Sequence, residues 1–161
     1  MNQERIEAWI ARLGSNVRRL EKRPGTEWAL LFEHPPGSKT LVTVNAPIQP
    51  AGTTQLSIAH PFGPAQTANF DRLADQAKQQ FLAELHLVLL AAEPDFAIQS
   101  GPTPQSCPRV IAVIKTHYDE GFSLDAFYQS ARILYKTSML AGACIIKYLG
   151  PEAPARPANV Q

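Results

Sequence analysis

The longest hydrophobic pattern in the chain runs over residues 123–149. Apolar and small residues recur there at steps of three and four, the spacing that places side chains on one face of a helix. Ser123 can cap the start of this helix, and Gly150 followed by Pro151 ends it. Because residues 137–146 carry no charge, we expect more than one face to be covered, either by another helix of the chain or by a second subunit.

Shorter patterns along the rest of the chain predict strands separated by single helices. Residues 1–14 match an amphipathic helix, and a second long helix begins at Thr67 or Asn69 and ends near Glu93. Residues 16–22 are a weaker strand candidate, and the stronger candidates are residues 27–33, 39–45, 54–60, 95–100 and 109–117. The order of helix, three or four strands, helix, two strands and helix predicts an α+β domain with an antiparallel sheet.

The length and composition of the chain fit one domain. With 161 residues, of which 45% are hydrophobic, it can bury a core without disulfides. We expect that domain to span residues 1–150. Residues 151–161 contain three prolines and no apolar periodicity, so they are predicted to form a disordered tail.

Charges and cysteines narrow the range of partners and compartments. A formal net charge of +1 gives no basic excess for nucleic acid, so we interpret the basic run at 18–23 as a solvated face. Lys136 and Lys147 bracket too few apolar residues for a membrane span. Cys107 and Cys144 are expected to be free thiols, and the N-terminal helix lacks the apolar core of a signal peptide. These features predict a cytoplasmic protein without a nucleic-acid partner or membrane insertion.

No residue pattern in the sequence signals catalysis, a metal or a cofactor. The histidines lack the spacing of a ligand set, and the glycines are isolated rather than grouped in a phosphate-binding loop. We therefore expect neither an enzyme nor a cofactor. The alternative is a small-molecule or catalytic pocket near His117–Glu120, where a base and two carboxylates share one turn. A solvated turn would explain the same residues.

The order of elements from residue 4 to residue 149 resembles that of the class I chaperones of type III secretion and their wider fold family. The resemblance lies in the order of helices and strands rather than in a motif. It points more to relatives without a secretion system, some of them in photosynthetic bacteria. Two features depart from the secretion chaperones: the near-neutral charge and the possible extra strand at 16–22. The resemblance implies a cytoplasmic homodimer that binds an extended segment of a client protein.

The same resemblance assigns two groups of apolar residues to binding surfaces. The client would contact the first helix and the nearby strand through Trp9, Leu13, Trp28, Leu30 and Phe32. The second subunit would contact Phe81, Leu85, Val88, Phe96 and Ile98. Large apolar side chains are also the usual filling of a core, so both groups have the alternative interpretation of core residues.

Overall fold

The computed structural model of the chain describes residues 2–101, 103 and 106–151. In chain order the elements are α1 (Gln3–Arg12), β1 (Val17–Arg19), β2 (Thr26–Glu33), β3 (Leu41–Pro47), β4 (Thr53–Pro61), α2 (Pro64–Arg72), α3 (Asp75–Leu90), β5 (Asp95–Gln99), β6 (Val110–Tyr118) and α4 (Leu124–Leu149). The predicted α+β class is therefore confirmed. The tail predicted at 151–161 lies outside the described residues, apart from Pro151.

The described strands join one antiparallel sheet in the order β1-β2-β3-β4-β6-β5. The weak candidate at 16–22 does form a strand, but β1 has three residues and pairs with Leu30 to Phe32 of β2. β1 and β5 are the two edges of this sheet. β6, whose sequence is apolar on both faces, lies one strand in from the β5 edge.

The helices lie on one face of the sheet. α1 packs on β1 and β2, and α4 packs on β4 and β6. Alternate residues of the central strands are buried on this face, namely Leu30, Phe32, Val42, Val44, Leu56, Ile58, Ile111 and Val113. On the other face Thr43, Ser57 and Ile114 lie opposite one another across three strands and keep partial exposure. The domain therefore has two layers, one of sheet and one of helices.

The region predicted as one long helix is divided into two helices, which corrects that prediction. Leu73 ends α2 and Ala74 precedes α3, and both have extended backbone conformations. The break brings the ring centroids of Phe70 and Phe81 to 6.0 Å, edge to face. In a continuous helix the same two residues would lie about 16 Å apart along the axis. Contact between the two rings therefore depends on the change of direction at Leu73.

α4 begins and ends where the sequence indicates. The Ser123 hydroxyl accepts a backbone N–H of the first turn, and Gly150 follows the last turn with a φ of 74°. The first half of the helix buries one face, where Phe127 contacts Trp9 of α1 and Phe32 of β2 with ring centroids 5.7 Å apart in each pair. α2 and α3 also pack against α4. The helix is thus the centre of the helical layer.

Candidate functional site

The residues predicted to contact a client lie mostly in the core. Trp9, Leu30 and Phe32 are 6%, 0% and 1% exposed, and Leu13 and Trp28 are half-buried against the same core. The structure does bring all five into one cluster, but three of them have almost no surface to offer a partner. Their position matches the alternative interpretation as core residues, and a client contact here stays a prediction.

The residues predicted for a dimer contact divide in a similar way. Phe81 and Leu85 are fully buried in the single chain. Val88 on α3 and Phe96 and Ile98 on β5 are half-buried. Because β5 is an edge strand, a second subunit could approach the half-buried residues without unfolding the chain. The dimer contact stays a prediction.

The turn from His117 to Glu120 divides its side chains among separate contacts. The His117 ring stacks on Phe122 with centroids 4.4 Å apart. Asp119 accepts a hydrogen bond from the hydroxyl of Thr54 at 2.7 Å, and Glu120 is exposed. The His117 ring and the Asp119 carboxylate thus contact Phe122 and Thr54 respectively, and a pocket or catalytic role for this turn stays a prediction.

The Ser130 hydroxyl lies within hydrogen-bond distance of both His117 and the backbone of α4. Nε2 of His117 lies 2.6 Å from the Ser130 hydroxyl oxygen, and this hydroxyl donates to the backbone carbonyl of Ala126 at 2.8 Å. A hydroxyl has one hydrogen, so Nε2–H must donate to Ser130. Burial lowers the pKa of His117, and the nearby Lys115 lowers it further.

A groove opens beside the second half of α4, where β3 and β4 part. β3 pairs with β2 as far as Leu41, but its pairing with β4 runs from Thr43 to Asn45. Beyond this pairing lies a cavity of about 450 Å³ that both Ala59 and His60 line. Neighbouring residues of a strand point to opposite faces of a sheet. The cavity therefore reaches into the gap between the two strands.

A second cavity of about 290 Å³ continues the groove toward the C-terminal end of α4. Both cavities are lined by His60, Gly142 and Ile146, so they form one surface feature. Ser138 lines it at one end and Pro151 at the other, a separation of about 20 Å along a helix axis. We call the two cavities together the α4 groove.

Large apolar side chains that line the α4 groove are exposed. Leu41, Met139 and Ile146 keep 53%, 54% and 55% of their surface. Gly142 leaves the floor open, because a Cβ atom added there would meet no atom within 4 Å. In the single chain this part of α4 is thus uncovered on one side. Of the two covers expected from the sequence, another helix of the chain is not found over this side among the described residues, and a second subunit stays a prediction. An exposed apolar surface in a concave region is typical of a binding site.

His60 places an ionisable ring in the α4 groove. Its Nε2 lies 2.7 Å from the hydroxyl oxygen of Ser138, a residue that is 2% exposed. This bond joins β4 to α4 at the base of the groove. Burial lowers the pKa of His60, because it disfavours the charged form of the ring.

The sequence gives little sign of this groove. The charge-free residues 137–146 are the one signal, and a fully buried helix would produce the same pattern. The bond between His60 and Ser138 joins residues 78 positions apart. No local pattern connects two residues at that separation.

Neither a metal centre nor a membrane span is found in the part of the chain that the structure describes. No group of three or more His, Cys, Asp or Glu side chains there could hold a metal ion. No helix among those residues is long and apolar enough to cross a membrane. Cys107 and Cys144 are buried free thiols, and burial raises the pKa of each. Their reactivity as thiolates is accordingly low at neutral pH.

A family model of uncharacterised conserved proteins, DUF2299, matches residues 2–143. The chain therefore belongs to this family, and the matched region extends from α1 through most of α4. A solved structure, the crystal structure of an uncharacterized protein from Methanothermobacter thermautotrophicus, is similar with a TM-score of 0.80 and 16% identity. The match covers 93% of this chain and 100% of that chain, and at this identity it shows the shared fold alone. No curated protein matches the chain.

Proposed function

We propose that the chain is a non-enzymatic protein-binding or assembly factor that holds an extended segment of a partner protein in the α4 groove. The observation that carries this proposal is the groove itself, which continues for about 20 Å beside α4 and is bordered by the exposed Leu41, Met139 and Ile146. The resemblance in element order to secretion chaperones supports the same class of function, although at a different surface.

The shape of the groove favours an extended segment over a compact ligand. An extended chain advances about 3.3 Å per residue, so a length of about 20 Å accommodates roughly six residues. The cavities of about 450 and 290 Å³ meet at Gly142, so successive side chains of one segment can occupy them in turn. Binding of this kind requires neither a nucleophile nor a metal.

Photocrosslinking in cells that produce the protein tests the proposal. The photoreactive residue p-benzoylphenylalanine replaces either Ala143, which is exposed and lines the groove, or Leu140, which is 59% exposed on the same helix but outside the lining. Irradiation should join the Ala143 variant to a defined polypeptide, identified by mass spectrometry of the crosslinked peptide. The Leu140 variant should not give this product.

Filling the groove provides the matched control. Gly142→Leu places a side chain where an added Cβ meets nothing within 4 Å, so we expect the fold to persist while the groove closes. The crosslink from position 143 should disappear, and the circular dichroism spectrum should stay unchanged. Equal crosslinking from both positions, or a crosslink that survives Gly142→Leu, would contradict the proposal.

A homodimer formed through α3 and β5 is a second part of the proposal. Leu87 and Leu90 are 67% and 68% exposed beside the half-buried Val88, which supports a contact on this side of α3. Native mass spectrometry reports the number of subunits. Leu87→Asp should give a folded monomer, whereas Leu85→Asp should unfold the chain because Leu85 is fully buried. A monomeric wild-type protein would remove this part of the proposal.

The proposed compartment is the cytoplasm. Cys107 and Cys144 are free, and a reducing compartment keeps such thiols from forming disulfides. Fractionation of cells that produce the protein should recover it with cytoplasmic markers. Recovery with a secreted fraction would contradict this assignment.

A further inference from the structure

The polar groups that line the α4 groove carry positive charge but no negative charge. Lys39 and His60 line it together with Thr40, Gln66 and Ser138, and no Asp or Glu does so among the described residues. The groove thus offers one cation and several hydrogen-bonding groups on an apolar background. Charge complementarity favours a partner segment that brings a negative charge.

Lys39 lies at the β3 end of the groove. Its positive φ of 62° turns the chain just before β3, and its backbone N–H donates to a carboxylate oxygen of Glu33. Glu33 lines a neighbouring cleft rather than the groove. Lys39 lines that cleft as well, so it borders both surfaces.

His60 adds a second group that suits an anion. The ring of His60 lines both cavities. Its Nε2 is hydrogen-bonded to Ser138, so Nδ1 is the ring nitrogen left to bind a partner. Around His60 the neighbouring elements present Ser138 from α4, Gln66 from α2 and, opposite in the sheet, Ile111 from β6. Apart from Lys39, no other described residue that lines the two cavities is titratable. The protonation state of the groove therefore depends mainly on His60.

We propose that the α4 groove binds an apolar segment that carries a carboxylate, and that Lys39 and His60 recognise this carboxylate. This step rests on the proposed function and names the chemistry of its partner. The apolar neighbours of the carboxylate pack on Met139 and Ile146, which line the same cavity. A hydrogen bond to a charged group contributes roughly tenfold or more to affinity.

A carboxylate partner fixes the sign of the pH dependence of binding. It favours the charged ring, so the pKa of His60 is higher in the complex than in the free protein. Binding then takes up a proton, and affinity rises as the pH falls from about 7.5 to about 5.5, above the usual carboxyl pKa of about 4.3. An uncharged segment would bury the ring and favour its neutral form, so its affinity would fall over the same range.

Peptide selection on the whole chain tests this inference. A random peptide library displayed on phage is selected on the wild-type protein with excess free Gly142→Leu protein, which removes peptides that bind elsewhere. Each enriched peptide is synthesised as selected and with its Asp or Glu replaced by the amide. Fluorescence anisotropy measures binding at about pH 7.5 and about pH 5.5. Lys39→Gln is compared with Lys136→Gln, an exposed lysine of α4 outside the lining.

The expected result is enrichment of acidic residues among apolar ones, about tenfold weaker binding of the amide peptides and tighter binding of the acidic peptides at the lower pH. Lys39→Gln should weaken only the acidic peptides, and Lys136→Gln should weaken neither. Two results would overturn the carboxylate inference and leave the proposed function in place. The first is groove-specific peptides without acidic residues, and the second is acidic peptides whose amide forms bind the protein equally well. If no selected peptide binds the wild-type protein more tightly than it binds the Gly142→Leu protein, the proposed function itself is overturned.

Discussion

Both halves of α4 bury one face, but they differ in the residues that the other face exposes. In the first half Phe127 and Leu134 are fully buried among α1 and the sheet. In the second half Met139, Leu140 and Ile146 are 54%, 59% and 55% exposed. Both halves are rich in large apolar residues at helical spacing. The comparison teaches that periodicity identifies a face suited to burial, whereas the arrangement of the strands decides whether the chain itself buries it.

A histidine and a serine join each half of α4 to the sheet. His117 contacts Ser130 at 2.6 Å in the first half, and His60 contacts Ser138 at 2.7 Å in the second. The first ring is stacked on Phe122, whereas the second lines the groove. Because the two bonds are alike, the halves differ in the residues on their exposed faces rather than in how they are attached to the sheet. Paired substitutions can therefore measure that difference directly.

The largest expected difference comes from two leucines of α4. Leu134 is 0% exposed and Leu140 is 59% exposed. Leu134→Ala should lower the free energy of unfolding by about 2–5 kcal/mol through the cavity it leaves, and Leu140→Ala by less than about 0.5 kcal/mol. Urea denaturation followed by circular dichroism measures both. A large loss for Leu140→Ala would mean that the second half is covered in solution, for example by a second subunit.

The two serines should give a smaller difference. Ser130→Ala removes the hydroxyl that Nε2 of His117 contacts and should cost about 1–3 kcal/mol of unfolding free energy. Ser138→Ala should cost a similar amount, because both serines are 2% exposed and both histidine rings are half-buried. The same denaturation experiment compares the two variants. A smaller cost for Ser138→Ala would show that water in the groove replaces the lost partner of His60.

The sequence predicts the features of this fold that depend on neighbouring residues. The order of elements follows from periodicity, and the limits of α4 follow from Ser123 and Gly150. The break at Leu73 depends on the contact of Phe70 with Phe81, which a local pattern does not contain. The groove depends on the limits of the pairing between β3 and β4, a property of two strands and not of either sequence. The candidate site was therefore less predictable than the fold.

The pH dependence of the free energy of unfolding should reflect His60 and His117, the two histidines that join the sheet to α4. Burial is the main cause that lowers the pKa of His60 and of His117 in the folded chain. Below the unfolded pKa of about 6.5 the unfolded chain binds more protons, so the free energy of unfolding falls as the pH decreases from about 7.5 to about 5. Urea denaturation across this range should show a shallower fall for His60→Asn and His117→Asn. A wild-type profile without this fall would contradict the role given to burial.

The smallest expected effect comes from the floor of the groove. Alanine is more favourable than glycine inside a helix by about 1 kcal/mol, and a Cβ atom at Gly142 meets nothing within 4 Å. Gly142→Ala should therefore raise the free energy of unfolding by up to about 1 kcal/mol. Gly150→Ala is the matched control, because its φ of +74° strains any residue with a Cβ and should cost about 1–2 kcal/mol. If Gly142→Ala destabilised the chain instead, another surface would have to lie against Gly142 in solution and cover the exposed face of the second half of α4.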